Sequence, residues 1–284
     1  MKIAVSAEST VDLPKEILEE FDIKTLPFHV FLGNEDGLDG EITPTRIIEF
    51  VNQTGKLPKT GAVNRFQFEE HFATLKNDYD AVIHFSLSSE LSSAYENAVA
   101  AASEFKNVYV VDSRSLSTGI ALLCLYARKL ADAGKDIKTI YEKSLERVLN
   151  VQASFVLKRL DYLYKGGRCS ALALFGANIL RLRVQILLKN GKMVPGKKYR
   201  GNFNHVAEKY VDDVLEQFGN PDLSEVFITY TTADDELIQI IRAKLIERGF
   251  KNVRTTHAGA TITSHCGENC LGILFLNDGE HEES

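Results

Sequence analysis

Ala81-Val82-Ile83-His84-Phe85 runs through a serine-rich junction into Leu91, Tyr95, Ala98, Ala101, Ala102 and Phe105. Val108-Tyr109-Val110-Val111 follows. The two short runs are rich in β-branched and aromatic residues, and the residues between them recur at helical spacing. The segment therefore predicts a strand, a helix over residues 88–105 and a second strand. A crossover of that length joins parallel strands, and its hand should be right-handed.

The pattern continues upstream. Ile3-Ala4-Val5 predicts a first strand, and Pro14 marks a helix start, where its missing N–H costs nothing. Residues 23–31 predict a second strand, which Pro27 confines to an edge or a bulge. Thr43-Pro44 and Asn64-Arg65 open two further helices. Downstream, residues 117–133 are apolar nearly all round, which predicts a helix sandwiched between layers, and residues 137–149 predict another.

After about Asn150 the pattern changes. Residues 153–157 predict a strand, and a short helix from Leu160 is stopped by Gly166-Gly167. Residues 184–188 and 192–195 predict a hairpin, because Asn190-Gly191 tolerates the positive φ angles of a type I′ turn. Helices over 204–218 and 234–249 flank strands at 226–230 and 253–257, and residues 270–276 make a closing strand. The fold class is α/β in two domains. Residues 1–150 form a doubly wound, mostly parallel sheet, and residues 151–284 form an α/β domain with a mixed or antiparallel sheet. The acidic end, residues 278–284, reads as frayed.

Composition narrows the function. The 284 residues carry 33 basic and 39 acidic side chains, a net charge of −6, with 44% hydrophobic residues. That balance disfavours general binding to nucleic acid or an anionic membrane surface. No apolar run reaches membrane-spanning length, no secretory signal opens the chain, and four cysteines make no disulfide framework. A cytoplasmic protein is expected. The sequence lacks a Gly-x-Gly-x-x-Gly after the first strand, a P-loop, a Gly-x-Ser-x-Gly elbow and a His-Glu-x-x-His helix.

Three segments place hydroxyls or an imidazole where strands end. They are Thr60-Gly61-Ala62, the junction from Ser86 to Tyr95, and His265 with Gly267. Strand ends and helix starts are where open α/β sheets bind anions, although one serine at such a place is more often a helix cap. Neutral and titratable donors among many apolar side chains suit an amphiphile with a small acidic head. Two other readings stand beside this one. One is a hydrolase or transferase using Ser92 or Ser89 with His265. The other is a metal site on His265, Cys266 and Cys270, where the bland alternative is two small core thiols.

Taken in order, the motifs resemble the DegV family of bacterial fatty-acid-binding proteins over essentially the whole chain. Glu8-Ser9-Thr10-Val11-Asp12-Leu13-Pro14 is similar to the family's Asp-Ser-Thr-x-Asp-Leu-Pro, and Thr60-Gly61-Ala62 falls where Thr-Ser-Gln-Pro is usual. Ser88-Ser89-Glu90-Leu91-Ser92-Ser93-Ala94-Tyr95 resembles Ser-Ser-x-Leu-Ser-Gly-Thr-Tyr, and Asp112-Ser113 follows the fourth strand. Leu163 to Arg168 resembles Leu-x-x-Gly-Gly-Arg, Lys198-Tyr199-Arg200-Gly201 resembles Lys-x-Arg-Gly, and His265-Cys266-Gly267 stands where His-x-Gly-Pro-Gly is usual. The chain departs from these patterns at Glu8, Gly61, Ala62, Ser93, Ala94, Glu268 and Asn269.

The resemblance implies a long-chain fatty acid buried in the N-terminal domain, its carboxylate held near the domain boundary by Thr60 and Ser92, with His265 close by. It also implies a fatty acid kinase subunit as partner, and no chemistry, cofactor or metal in the binding protein itself. Arg168, Lys198 and Arg200 read either as a rim for a phosphate or an acidic partner, or as a solvated cationic face.

Overall fold

A computed structural model describes residues 1–174 and 182–279. The chain begins with β1 (Ile3–Glu8), a short 3-10 turn at Ser9–Val11, α1 (Lys15–Glu20), β2 (Ile23–Leu26), β3 (His29–Leu32), β4 (Glu35–Leu38), α2 (Pro44–Thr54) and β5 (Lys59–Gly61). It continues through α3 (Arg65–Asp78), β6 (Ala81–Ser86), α4 (Ala94–Ala102), β7 (Val108–Asp112), α5 (Thr118–Asp132) and α6 (Ile137–Val148). Next come β8 (Val151–Leu157), α7 (Asp161–Lys165), β9 (Arg183–Lys189), β10 (Lys192–Tyr199), α8 (Phe203–Gln217) and β11 (Glu225–Tyr230). The last are α9 (Asp235–Glu247), β12 (Asn252–His257), α10 (Ala260–Cys266) and β13 (Cys270–Leu276).

A four-stranded sheet, in the order β2-β1-β6-β7, is parallel throughout. Every residue of β1 and β6 is buried, as expected for central strands covered on both faces. A six-stranded sheet, in the order β10-β9-β8-β13-β11-β12, is antiparallel except where β11 pairs with β12. All strands of the first sheet precede residue 150, and all strands of the second follow it. One apolar core nevertheless runs from Ile3, Val5 and Ile83 through Leu123 to Phe155, Phe227 and Leu274. The sandwiched helix is α5, which packs on β1 and β6 from one sheet and on β8, β11 and β13 from the other.

Four expectations need correction. The strand read over 23–31 is two strands in different sheets, because Pro27 cannot donate to a ladder and the Phe28 N–H turns to Ser9 Oγ at 3.1 Å. The crossover helix starts at Ala94 and not Ser88, because the intervening serines hydrogen-bond elsewhere. A third sheet, β4-β3-β5, and the helix α10 went unread. Asp278 is also held in place, accepting from Arg147 at 2.7 and 2.9 Å; residues 280–284 of the acidic end lie outside the described residues. Among the described residues no helix is long and apolar enough to cross a membrane.

Because α5 serves both sheets, its buried side chains should govern the stability of the whole chain. Leu123→Ala, at a position with 0% exposure, should cost about 2–5 kcal/mol, read as a lowered urea midpoint. Leu149→Ala, at 73% exposure, should stay within about 0.5 kcal/mol.

Candidate functional site

The site is assembled around α10, a seven-residue helix near the end of the sequence that packs on α2, α7, β3 and β5. Its N-terminal amides are held by two carboxylates from near the start of the chain. Asp12 Oδ1 accepts from Gly259 N at 2.8 Å, and Asp39 accepts from Ala260 N at 2.8 Å and Thr261 N at 3.2 Å. A helix start leaves such donors unmet, and the oxygens of these two acidic side chains satisfy them. Asp39 is fixed in turn by Ser9 Oγ at 3.0 Å, and Asp12 by Ser117 Oγ at 2.5 Å. Burial pushes the Asp12 carboxyl up to about 8, against the bonds from Ser117 and Gly259 that favour its charged form; Asp39 beside it adds repulsion.

The other end of α10 is shaped by glycine. Gly267 sits at φ +69°, and a Cβ there would lie 2.7–2.9 Å from the Tyr162 ring. The loop after α7 approaches equally closely, since a Cβ on Gly166 would stand 2.8 Å from Tyr162 O and 2.9 Å from His265 Nδ1. Close approach accounts for Gly166, and a φ of +72° for Gly167 beside it.

His265, on the last turn of α10, shares a hydrogen bond of 2.9 Å with Thr60 Oγ1 on β5. Burial lowers its pKa to about 4, with Arg168 adding positive repulsion, so the imidazole is neutral at physiological pH. Thr60 and His265 line a cavity of about 170 Å³ together with Ser92, Ser93, Thr261 and Arg168. Its apolar wall is Phe28, Ala62, Leu87, Leu91, Leu116, Met193, Ile262 and Cys266. A smaller, almost wholly apolar space of about 30 Å³ shares Leu116, Ile262 and Cys266 with it and reaches Phe155 and Leu274 of the six-stranded sheet. Beyond Thr60, His265 and Arg168, on the other side, a basin of about 520 Å³ is lined by Lys56, Lys59, Lys165 and Arg168 and by no carboxylate.

Thr60, Ser92, His265 and Arg168 are thus brought together. Lys198 and Arg200, at the end of β10, line neither the cavity nor the basin. The serine junction has divided its labour. Ser86 Oγ donates to the buried Glu8 at 2.6 Å, and Ser88 Oγ holds the hairpin tip through Gly191 O at 2.8 Å. Ser89 Oγ donates to Asp112 at 2.6 Å, while Ser92 Oγ accepts from Ala94 N at 3.2 Å beside the cavity. Glu268 faces away, paired with Lys158 at 3.3 Å.

Neither rival site is formed. Among the described residues neither Ser89 nor Ser92 is hydrogen-bonded to His265: Ser89 is engaged by Asp112, Ser92 accepts from Ala94 N, and His265 meets Thr60. No three His, Cys, Asp or Glu side chains among them could hold a metal ion, and burial beside Cys266 keeps the Cys270 thiol protonated. Sequence reasoning missed Asp39, Thr261 and the cationic lysines of the basin. Asp39 carries no local signal, since the α10 amides it holds lie more than two hundred residues away and Ser9 lies thirty residues before it. The β-branched run Thr261-Ile262-Thr263 does not look helical.

A model of the DegV family, described as an uncharacterised protein family, matches residues 2–278. The chain belongs to the DegV family. A DegV relative from Thermotoga maritima, named a fatty acid-binding protein, is 30% identical over 96% of this chain and 97% of its own. The solved structure of a fatty-acid-binding DegV family protein from Thermus thermophilus superposes with a TM-score of 0.88 at 24% identity, covering 98% of this chain and all of that one. DegV of Bacillus subtilis, described as a fatty acid binding protein, superposes at 0.84 with 28% identity over 98% and 100%. The arrangement of the two sheets is therefore that of the DegV fold.

The grip on α10 should register in the pH dependence of folding. A carboxyl raised from 3.8 to about 8 holds a proton in the folded state that the unfolded chain has released, so its contribution to stability falls as pH climbs through that window. Asp12→Asn keeps an acceptor for Gly259 and tolerates the left-handed backbone at φ +53°. Urea midpoints at pH 5 and pH 8 should therefore differ less for the variant than for the wild type.

Proposed function

We propose that the chain binds a long-chain fatty acid, with its carboxyl group at Thr60, Ser92 and His265 and its tail in the apolar interior. The observation that carries this reading is a cavity that brings Thr60, Ser92 and His265 together with Arg168 among mostly apolar walls. The names and descriptions of the Thermotoga and Bacillus relatives support it.

The energetics suit that division. Burying about fifteen methylenes at about 0.8 kcal/mol each supplies roughly 12 kcal/mol before association and ordering costs. Affinity then comes from the tail, and a few hydroxyls suffice to orient the head. Uncharged hydroxyls and a neutral imidazole hold a carboxylate less firmly than a bidentate arginine would. The cavity of about 170 Å³ is smaller than the roughly 300 Å³ and upward of typical ligand sites. Entry of a long chain therefore requires the apolar wall to part. Leu116, Ile262 and Cys266, which divide the two adjoining spaces, are the side chains in its path.

The cationic basin extends the reading. Lys56, Lys59 and Lys165 line the basin together with the same Thr60 and His265 that would hold the head group. An anionic amphiphile is drawn to such a mouth, and a phosphoryl donor on a separate fatty acid kinase subunit would meet compensating charge there. On this reading the chain presents the acyl group and performs no chemistry itself.

Denaturing extraction of the purified protein should release near-stoichiometric long-chain fatty acid, identified by mass spectrometry. No extracted acid, combined with no uptake of added palmitate or oleate, would refute the carrier reading. Thr60→Val with Ser92→Ala should weaken palmitate binding by about 1.5–3 kcal/mol for each hydrogen bond lost to a charged group, without lowering the thermal midpoint of the ligand-free protein by more than a few degrees.

A further inference from the structure

Thr261 carries a signal that none of the motifs contains. Its side chain is 3% exposed, lines the same cavity as Thr60, Ser92 and His265, and its Oγ1 has no hydrogen-bond partner among the described residues. A buried hydroxyl without a partner is costly, and such groups are rare in folded proteins. Valine would fill the same volume without that cost. The residue is also rigidly placed, because its own N–H is held by Asp39. Thr261 and His265 stand four residues apart on α10, so they project from one face of the helix, a turn apart.

The other donors are already partly committed. Thr60 Oγ1 is engaged with His265, and Ser92 Oγ accepts from Ala94 N. An ionised carboxyl group offers about four lone-pair sites, more than those two hydroxyls can fill.

We propose that Thr261 is an additional head-group residue, whose hydroxyl donates to an acidic oxygen of the bound ligand. The cavity then offers a further donor that a two-oxygen head group satisfies. A one-oxygen head such as a fatty alcohol offers fewer acceptor sites and is disfavoured. This assignment rests on the carrier reading.

Delipidated wild type, Thr261→Val and Thr261→Ser can be titrated with palmitate and with hexadecanol, alongside urea denaturation of the ligand-free proteins. Thr261→Val should bind palmitate about tenfold or more weakly, Thr261→Ser should stay within about threefold of wild type, and hexadecanol affinity should change less than palmitate affinity. Ligand-free Thr261→Val should be as stable as wild type or more so, since an unmet hydroxyl has been removed. Undiminished palmitate binding by Thr261→Val overturns the assignment alone, as does a destabilised ligand-free variant, which would mark the hydroxyl as structural. A wild type that takes up no palmitate defeats the carrier reading and this assignment together.

Discussion

The candidate site exists because two carboxylates near the start of the chain grip the amides of a helix near its end. Asp12 and Asp39 meet Gly259, Ala260 and Thr261, and through them fix the direction in which His265 and Thr261 project. A seven-residue helix has little stability of its own, since nucleation in water is unfavourable and most helical stability comes from packing. Here the carboxylates supply partners for the exposed amides, and α2, α7, β3 and β5 supply the packing. The cost is a buried acid: Asp12 sits where its charged form is penalised, beside a second carboxylate. Folds tolerate such groups where geometry matters more than stability.

The same grip explains why the site needs both parts of the chain. Thr60 and Ser92 come from the first part, and His265 and Thr261 from the second. Thr118 Oγ1, at the start of α5, meets Thr229 Oγ1 on β11 at 2.6 Å, and Ser117 reaches Asp12. These contacts tie the start of α5 to the six-stranded sheet and to the segment that follows β1.

Legibility in the sequence followed the range of the interactions. The βαβ unit, the sandwiched helix and the Asn190-Gly191 hairpin are written in periodicity and turn chemistry, and the structure has all three. Thr60, Ser92 and His265 could be marked as hydroxyls and an imidazole at element ends, and the structure brings them to one cavity. What could not be read depends on distant partners. The serine junction looked like one binding loop, yet Glu8, Gly191 and Asp112 each claim one of its serines. α10 was hidden because its β-branched residues have poor helix propensity, and the carboxylates that stabilise its start lie elsewhere in the chain. Lys198 and Arg200 share a motif but line neither the cavity nor the basin, while of the lysines around the basin only Lys165 falls within a motif, at one of its variable positions.

The departures from the DegV pattern fit the packing around the head-group end. Gly61 and Ala62 stand where the family usually carries serine and glutamine, so that segment offers fewer side-chain donors. A Cβ on Gly61 would lie 3.1 Å from the Phe31 ring, so a larger residue there would have to displace an aromatic side chain. The segment therefore contributes the Thr60 hydroxyl and an apolar surface at Ala62. Thr261 returns a hydroxyl to the same space from α10, one turn from His265. On the carrier reading, donors lost from one element and gained on another would keep the cavity able to meet an acidic head while changing the direction from which it is met.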